Sequence, residues 1–231
     1  MKTQDKVVII TGASEGIGKA LAEALSAQGA KLVLAARSED KLQALAKNLP
    51  GSVVVRADMH QEADIKRVID TAIQKFGRID ILVNNAGQGL YGPLETVNLD
   101  QYKQIVDLNV YAPLRAMQLV IPHLRKAGGG LIMNISSGVS KAAYPNLGAY
   151  ASTKYALNAL SFTARAELAA DHIAVCVFHP RMTATRFGEN SAGTRPDFSN
   201  RPGGMPPVDT AEQVAAKIIE LIGTEAIEAA M

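Results

Sequence analysis

The sequence predicts a doubly wound α/β domain, a parallel sheet between two layers of helices, and two observations carry that expectation. Six short β-branched runs recur along the chain, each continuous rather than alternating, as strands buried on both faces require. The segments between them have helical spacing, so strand and helix alternate over most of the 231 residues. Nothing in the composition calls for a second core, and residues 1–231 are read as one domain.

The first run is KVVII, residues 6–10, followed by TGASEGIGKA and the helix-like LAEALSAQGA. KLVLAA (31–36) comes next. Ser38 is then placed to cap the helix SEDKLQALAKNL, with Glu39 and Asp40 in its first turn at the positive end of the helix dipole. SVVV (52–55) precedes the helical QEADIKRVIDTAIQKF, and DILV (80–83) is the fourth strand. Two longer helices, about 101–126 and 149–169, lie on either side of GLIMNI (130–135). Apolar residues cover more than one face of each, which suits either an oligomer interface, in a homodimer or homotetramer, or extra core contacts. IAVCVF (173–178) is the sixth strand. The stretch from Pro180 to Pro207 has five prolines and no periodicity, and a loop of that length in a compact domain serves as a lid or binding loop. The terminal TEAIEAAM has little strand character, so a seventh strand is expected to be short, divergent or absent.

Composition narrows the function. Lysine and arginine total 24 against 22 acidic residues, with no long block of either sign, which argues against nucleic acid or a membrane surface as the main partner. No apolar run approaches the roughly 20 residues of a membrane helix, and MKTQDKVVII is too short for a secretory signal. The single cysteine, Cys176, sits in an apolar strand and reads as a buried inert thiol, which suits a reducing cytoplasm. No metal-ligating cluster is expected.

The glycines of TGASEGIG fall where a strand becomes a helix. A helix N-terminus offers unpaired N–H groups and partial positive charge, a site for phosphate when the backbone can approach closely. Gly12 can turn the chain, while Gly16 and Gly18 permit that approach and the packing of helix on sheet. An ordinary glycine-rich turn would satisfy the same pattern, and on this motif alone the two readings balance.

Further along, NNAG (84–87) follows the fourth strand, and ISSGVSKAAYPNLGAYASTK (135–154) puts Ser137 thirteen positions before Tyr150 and Tyr150 four before Lys154. With TGxxxGxG, NNAG, an asparagine in the next helix, serine and YxxxK in this order, the chain resembles the short-chain dehydrogenase/reductase family from Lys6 to about Ile222. The resemblance implies a Rossmann-type three-layer α/β/α fold that binds a nicotinamide dinucleotide and moves hydride between it and a carbonyl or secondary alcohol.

Tyr150 and Lys154, at i and i+4, share a helix face. A phenol of ordinary pKa near 10 exchanges protons poorly at neutral pH, and an adjacent ammonium can lower that value. In the family the tyrosine is the acid in reduction and the base in oxidation, and the lysine also bonds the nicotinamide ribose. Ser137 ends the fifth strand, where its hydroxyl can donate to a developing oxyanion; Ser136 more plausibly bonds backbone. Asn109, in DLNVYAP, corresponds to the family's catalytic asparagine, which holds a relay water beside the lysine; the residue itself also reads as a helix-distorting asparagine with a satisfied side chain.

Cofactor choice is legible at the end of the second strand. NAD needs a carboxylate there for the adenosine ribose, and this chain has Ala36 followed by Arg37, which suits the 2′-phosphate of NADP(H). Ser14 adds a hydrogen bond, whereas Glu15 in the glycine loop opposes a phosphate. The resemblance carries further contacts onto Ile17, Asp58 with Met59 for the adenine, Asn85, Ala86 and Gly87 for the adenosine side, and Pro180, Thr183 and Thr185 for the carboxamide. Arg181 replaces the family's glycine in PRMTAT, either as a cation near the substrate mouth or as a solvent-facing arginine. Substrate-lining candidates are Gln88, Leu90, Tyr91, Val139, Tyr144, Met182, Phe187 and Met205, mostly apolar and compatible with many small carbonyl or alcohol compounds. A ketone or aldehyde reductase is the expected activity. Reduction of a 3-oxoacyl thioester on acyl carrier protein or CoA is the enzymatic alternative, and an NADP-sensing protein of the same fold the non-enzymatic one. The set Asn109, Ser137, Tyr150 and Lys154 speaks against a sensor, which needs no proton relay.

Overall fold

Alternate residues of each central strand face opposite helical layers, and both layers are apolar. Val8 and Ile10 of β1 (Val7–Thr11) meet α1 (Gly16–Ala27), whereas Ile9 joins a second cluster on the other side. The computed structural model describes residues 1–195 and 207–231. β2 (Lys31–Ala36) repeats the pattern, with Leu32 and Leu34 on the α1 side and Val33 and Ala35 on the other. Burial on both faces is why these runs lack polar alternation.

The remaining elements follow in order: α2 (Glu39–Ala46), β3 (Val53–Arg56), α3 (Glu62–Phe76), β4 (Ile81–Asn84), β5 (Leu90–Tyr91), α4 (Leu99–Val106), α5 (Ala112–Lys126), β6 (Gly130–Ile135), α6 (Gly148–Glu167), β7 (Ile173–His179), β8 (Ala192–Gly193), α7 (Ala211–Thr224) and β9 (Glu228–Ala230). The main sheet has the order β3-β2-β1-β4-β6-β7-β9 and every pairing is parallel. Side chains of α1, α2 and α7 cover one face, and those of α3, α5 and α6 the other. The sheet order reverses between β1 and β4, and the crevice opens at their carboxyl ends.

Four features depart from or refine the sequence expectations. The seventh strand exists: β9 pairs with β7 through Val177–Glu228, Phe178–Ala229 and His179–Ala230, and its three residues, with no β-branched or aromatic side chain, are too few to read as a strand. The expected helix over 101–126 is broken at Asp107–Tyr111, one turn of π-helix centred on Asn109. Such a bulge is a recurrent feature of functional sites. Ser38 stands at the N-cap of α2 but its side chain makes no capping bond. Within the loop after β7, β8 pairs with β5, and Thr183 bridges Asp209, so that loop has structure which no periodicity announced.

Candidate active site

At the end of β1 the chain must turn directly into α1, and two left-handed glycines make the turn. Gly12 (φ 66°) lies so close to the β4 loop that a Cβ would fall 2.9 Å from the Cα of Ala86, and Gly16 (φ 56°) faces Thr185. Gly18 is not on the crevice wall; it packs α1 against the carbonyl of Gly12 and the amide of Asn85. Side chains hold this loop. Asn85 Nδ2 donates to the carbonyls of Thr11 (2.9 Å) and Gly12 (3.1 Å), and Thr11 Oγ1 accepts from the N–H groups of Asn85 and Ala86, both at 3.0 Å. Thr11 was not legible as a site residue, because a threonine closing a β-strand has no distinctive pattern.

The crevice has a volume of about 900 Å³ and runs from Arg37, Asp58 and Met59 past Ser14, Glu15, Gly16, Ile17, Ala86 and Gly87 to Ser137, Tyr150 and Lys154. Pro180, Thr183 and Thr185 line it from the β7 side. Gln88, Tyr91, Val139, Tyr144, Met182 and Phe187 line its outer end. Leu90 does not: it is 1% exposed and packs with Ile105, Leu147 and Tyr150 beneath the wall, since alternation in β5 turns it inward when Tyr91 faces the crevice. Met205 lies outside the described residues.

At the inner end Tyr150 is buried and hydrogen-bonded to Ser137, and its ring lies 5.7 Å from that of Phe187. Burial pushes the phenol above its ordinary range, the Ser137 bond pulls it back, and Tyr91 adds a smaller upward push. Lys154 Nζ donates to the carbonyl of Ile135 (2.9 Å) and stands 5.9 Å from the Tyr150 ring centroid. Burial lowers its pKa to about 8. The expectation that the ammonium depresses the phenol is therefore corrected: desolvation governs both groups, and it moves the two values apart. Ser137 Oγ accepts from Val139 N (3.3 Å), while Ser136 is buried and its hydroxyl meets that of Ser140 (3.2 Å), a side-chain partner in place of the expected backbone one.

Asn109 is fully buried behind the crevice wall. Its Oδ1 accepts from Gln88 N (3.0 Å), and its Nδ2 donates to Gln88 O (2.8 Å) and Thr153 Oγ1 (3.1 Å). The side chain thus fixes the strand-to-loop turn at Gly87 and Gln88.

At the adenosine end Arg37 is exposed beside Asp58. Burial raises the Asp58 pKa, but hydrogen bonds from the His60 ring and backbone outweigh it and hold the carboxyl below its ordinary value. Glu15 is engaged on both oxygens, by Lys41 Nζ and Asn190 Nδ2 at 2.6 Å each, and the Lys41 bond lowers its pKa. Lys41, Asn190 and His60 escaped the sequence reading; a lysine four residues after Arg37 on α2 was the available signal for the first. Arg181 lines the crevice and forms a two-point pair with Asp209 (3.1 and 2.8 Å), so its charge is matched within the chain.

The described residues contain no helix long and apolar enough to cross a membrane and no group of three or more potential metal ligands.

A family model for short chain dehydrogenases matches residues 6–195. An uncharacterized oxidoreductase of Staphylococcus epidermidis is 35% identical, over 87% of this chain and 85% of the relative. Among solved structures, a 3-ketoacyl-(acyl-carrier-protein) reductase from Brucella melitensis complexed with NADH superposes with a TM-score of 0.88 at 28% identity, over 99% of this chain and 96% of that one. An alcohol dehydrogenase from the archaeon Thermococcus sibiricus complexed with 5-hydroxy-NADP gives 0.86 at 27% identity, over 99% and 96%.

Proposed function

Because this chain belongs to the short-chain dehydrogenase family, and is an oxidoreductase acting between CH–OH and C=O, we propose that it is an NADP(H)-dependent reductase of a ketone or aldehyde. The observation that carries the reading is the single crevice with Arg37 and Lys41 at one end and Ser137, Tyr150 and Lys154 at the other.

The crevice residues fit a dinucleotide. Gly12 and Gly16 leave backbone space that a Cβ would fill, and the N-terminus of α1, at Gly16 and Ile17, lines the same space, as a phosphate site requires. Asp58 would accept from the adenine amino group, Arg37 and Lys41 would face a 2′-phosphate, Lys154 would bond the nicotinamide ribose, and Pro180, Thr183 and Thr185 would meet the carboxamide. The Glu15 carboxylate is partly countered by Lys41 and Asn190, although it shares Lys41 with the site given to a 2′-phosphate.

When bound, the cofactor supplies the hydride. The chain supplies the rest. Ser137 donates to the carbonyl oxygen as charge develops, and Tyr150 delivers its hydroxyl proton to that oxygen. The raised phenol pKa keeps the proton on Tyr150 until the oxyanion takes it. Asn109 positions the turn at Gly87 and Gln88 that borders Lys154, and its family role in the proton relay belongs to this proposal.

The similar ketoacyl reductase favours a second reading, a 3-oxoacyl thioester as substrate. Exposed Leu99, Tyr111 and Tyr155, on α4, the π turn and α6, fit a homo-oligomer interface. Cys176 is fully buried and its pKa is raised to about 11, which suits a chain working in the cytoplasm. The test is NADPH and NADH oxidation against ketones, aldehydes and acyl thioesters. Tight NADPH binding without turnover on the whole panel would favour a sensor.

A further inference from the structure

His179 is 1% exposed, yet both ring nitrogens have partners. A buried imidazole is costly unless its polar atoms are satisfied, and a ring that merely filled space would be replaceable by an apolar one. Here each nitrogen contacts a different element. Nε2 lies 2.9 Å from Glu228 Oε2 on β9, and Nδ1 lies 3.2 Å from Ser140 Oγ and 3.4 Å from the carbonyl oxygen of Ser137.

The far side of this cluster is the loop that carries Ser137. Ser136 N donates to Phe178 O (2.8 Å) and Gly138 N donates to Pro180 O (2.9 Å), which zips the end of β6 to the end of β7. Between those two anchors, the Ser137 carbonyl accepts from Ser140 N (3.0 Å) and Ser140 Oγ (2.7 Å). Asn158 Nδ2 in turn donates to Ser140 Oγ (3.0 Å). The peptide plane following Ser137 is therefore fixed from the side away from the crevice, while its hydroxyl bonds Tyr150 on the crevice side.

We propose that His179 is a positioning residue for Ser137, acting from a ring anchored on Glu228 through Ser140, whose N–H and hydroxyl hold the Ser137 carbonyl. The proposal rests on the role given to Ser137 above. Proton placement is consistent with it. The Glu228 carboxylate, also bonded by Lys141 Nζ at 2.6 Å, requires the proton on Nε2. Burial, and then the Lys141 charge, hold His179 below the ordinary histidine value, so at neutral pH Nδ1 is bare; it shares the one Ser140 hydroxyl proton with the Ser137 carbonyl, and its own approach to that carbonyl is a packing contact. The short C-terminal strand thereby joins the catalytic apparatus: without β9, Nε2 would lose its carboxylate.

The experiment is a double-mutant cycle on kcat, with cofactor affinity measured in parallel. His179→Phe keeps a ring and removes both nitrogens. It should lower kcat by about ten- to hundred-fold, the scale on which a group misplaced by up to ~1 Å loses effect, and leave the NADPH Kd unchanged. In a Ser137→Ala background the same change should cost no more than about two-fold, because the residue being positioned is gone. A loss that multiplies in full in that background would overturn the proposal, as would an unchanged kcat. Should His179→Phe fail to fold, Glu228→Ala on the exposed edge carries the same comparison. Its expected loss is several-fold in the wild type and nil with Ser137→Ala; no loss, or the same loss in both, overturns it. Full activity of Ser137→Ala alone would instead retire the role given to Ser137.

Discussion

At the glycine-loop end of the crevice the wall is main chain, held by the Asn85 and Thr11 side chains from neighbouring strands; at the outer end it is side chains, Tyr91, Val139, Tyr144, Met182 and Phe187, carried on loops. The outer loops meet through the two-residue β5–β8 pairing and the Gln88–Asn190 bond (2.8 Å). Backbone donors cannot be altered by substitution, so the first end suits a ligand that does not change. The second can be rebuilt residue by residue, as substrate recognition requires. Tyr150 stands at the junction, bonded to Ser137 and packed on Phe187.

The largest expected effect is at that junction. Tyr150→Phe keeps the ring and removes the transferable proton, so kcat should fall by about 10²- to 10⁴-fold while NADPH affinity holds. Ser137→Ala should cost about 10²- to 10³-fold, the range for losing one oxyanion donor, and Ser136→Ala far less. Single-turnover NADPH oxidation beside a fluorescence titration of cofactor measures both. Undiminished turnover in Tyr150→Phe would remove the junction from the comparison and move the chemistry elsewhere.

The nucleotide end should respond in binding and not in chemistry. Ala36→Asp with Arg37→Ile supplies a carboxylate to the ribose and removes a guanidinium from the phosphate. Hydrogen bonds to charged groups are worth about 1.5–3 kcal/mol, so the NADPH-to-NADH ratio of kcat/KM should drop by roughly 10- to 100-fold. A wild type that already prefers NADH would refute the cofactor assignment. Phe187→Ala at the outer end should do the reverse, raising carbonyl KM several-fold with NADPH Kd unmoved.

These two ends also differed in how far the sequence revealed them. Continuous apolar runs placed all six longer strands to within a residue or two, since burial on both faces leaves no other pattern. The glycine loop was legible because left-handed turns and close approach restrict the residue type. β9 was hidden: three residues with Glu228 and Ala230 exposed carry no strand signal, and only pairing with β7 creates it. Leu90 was misplaced for want of the strand register. Asn190 and Thr11 depend on contacts between segments far apart in sequence, which composition and spacing do not encode, whereas Lys41 was marked only by its spacing from Arg37 on α2. The opposed titration of Tyr150 and Lys154 likewise comes from burial that only the packed site reveals.

That burial predicts a pH dependence. Tyr150 is raised, so its proton stays in place across the neutral and mildly alkaline range, whereas Lys154 at about 8 loses its charge within it. The ammonium is the form that would donate to the ribose in the cofactor complex proposed above. Reduction should therefore be fullest below pH 8 and decline above it by up to about tenfold per pH unit. In Lys154→Met the residual activity should show no such limb. A limb that persists near pH 8 in Lys154→Met belongs to another group.

The smallest effect belongs to Glu15, where the two ends touch. Its carboxylate joins α2 through Lys41 and the loop after β7 through Asn190, so it competes with a 2′-phosphate for Lys41 and also tethers the outer loop. Glu15→Gln removes the charge and keeps an oxygen for Asn190. Both partners of the Lys41 pair are about a third or more exposed, at 34% and 44%, so the pair is worth no more than about 0.2–1 kcal/mol after solvent screening. Freed from it, Lys41 should tighten NADPH by about two- to five-fold at low ionic strength. The gain should shrink in high salt, where the Debye length is only about 3 Å at 1 M, and NADH affinity should not change. Cofactor titrations at two salt concentrations read this directly. If NADPH weakens instead, Glu15 serves chiefly to hold the outer loop, and the two ends of the crevice are mechanically coupled through it.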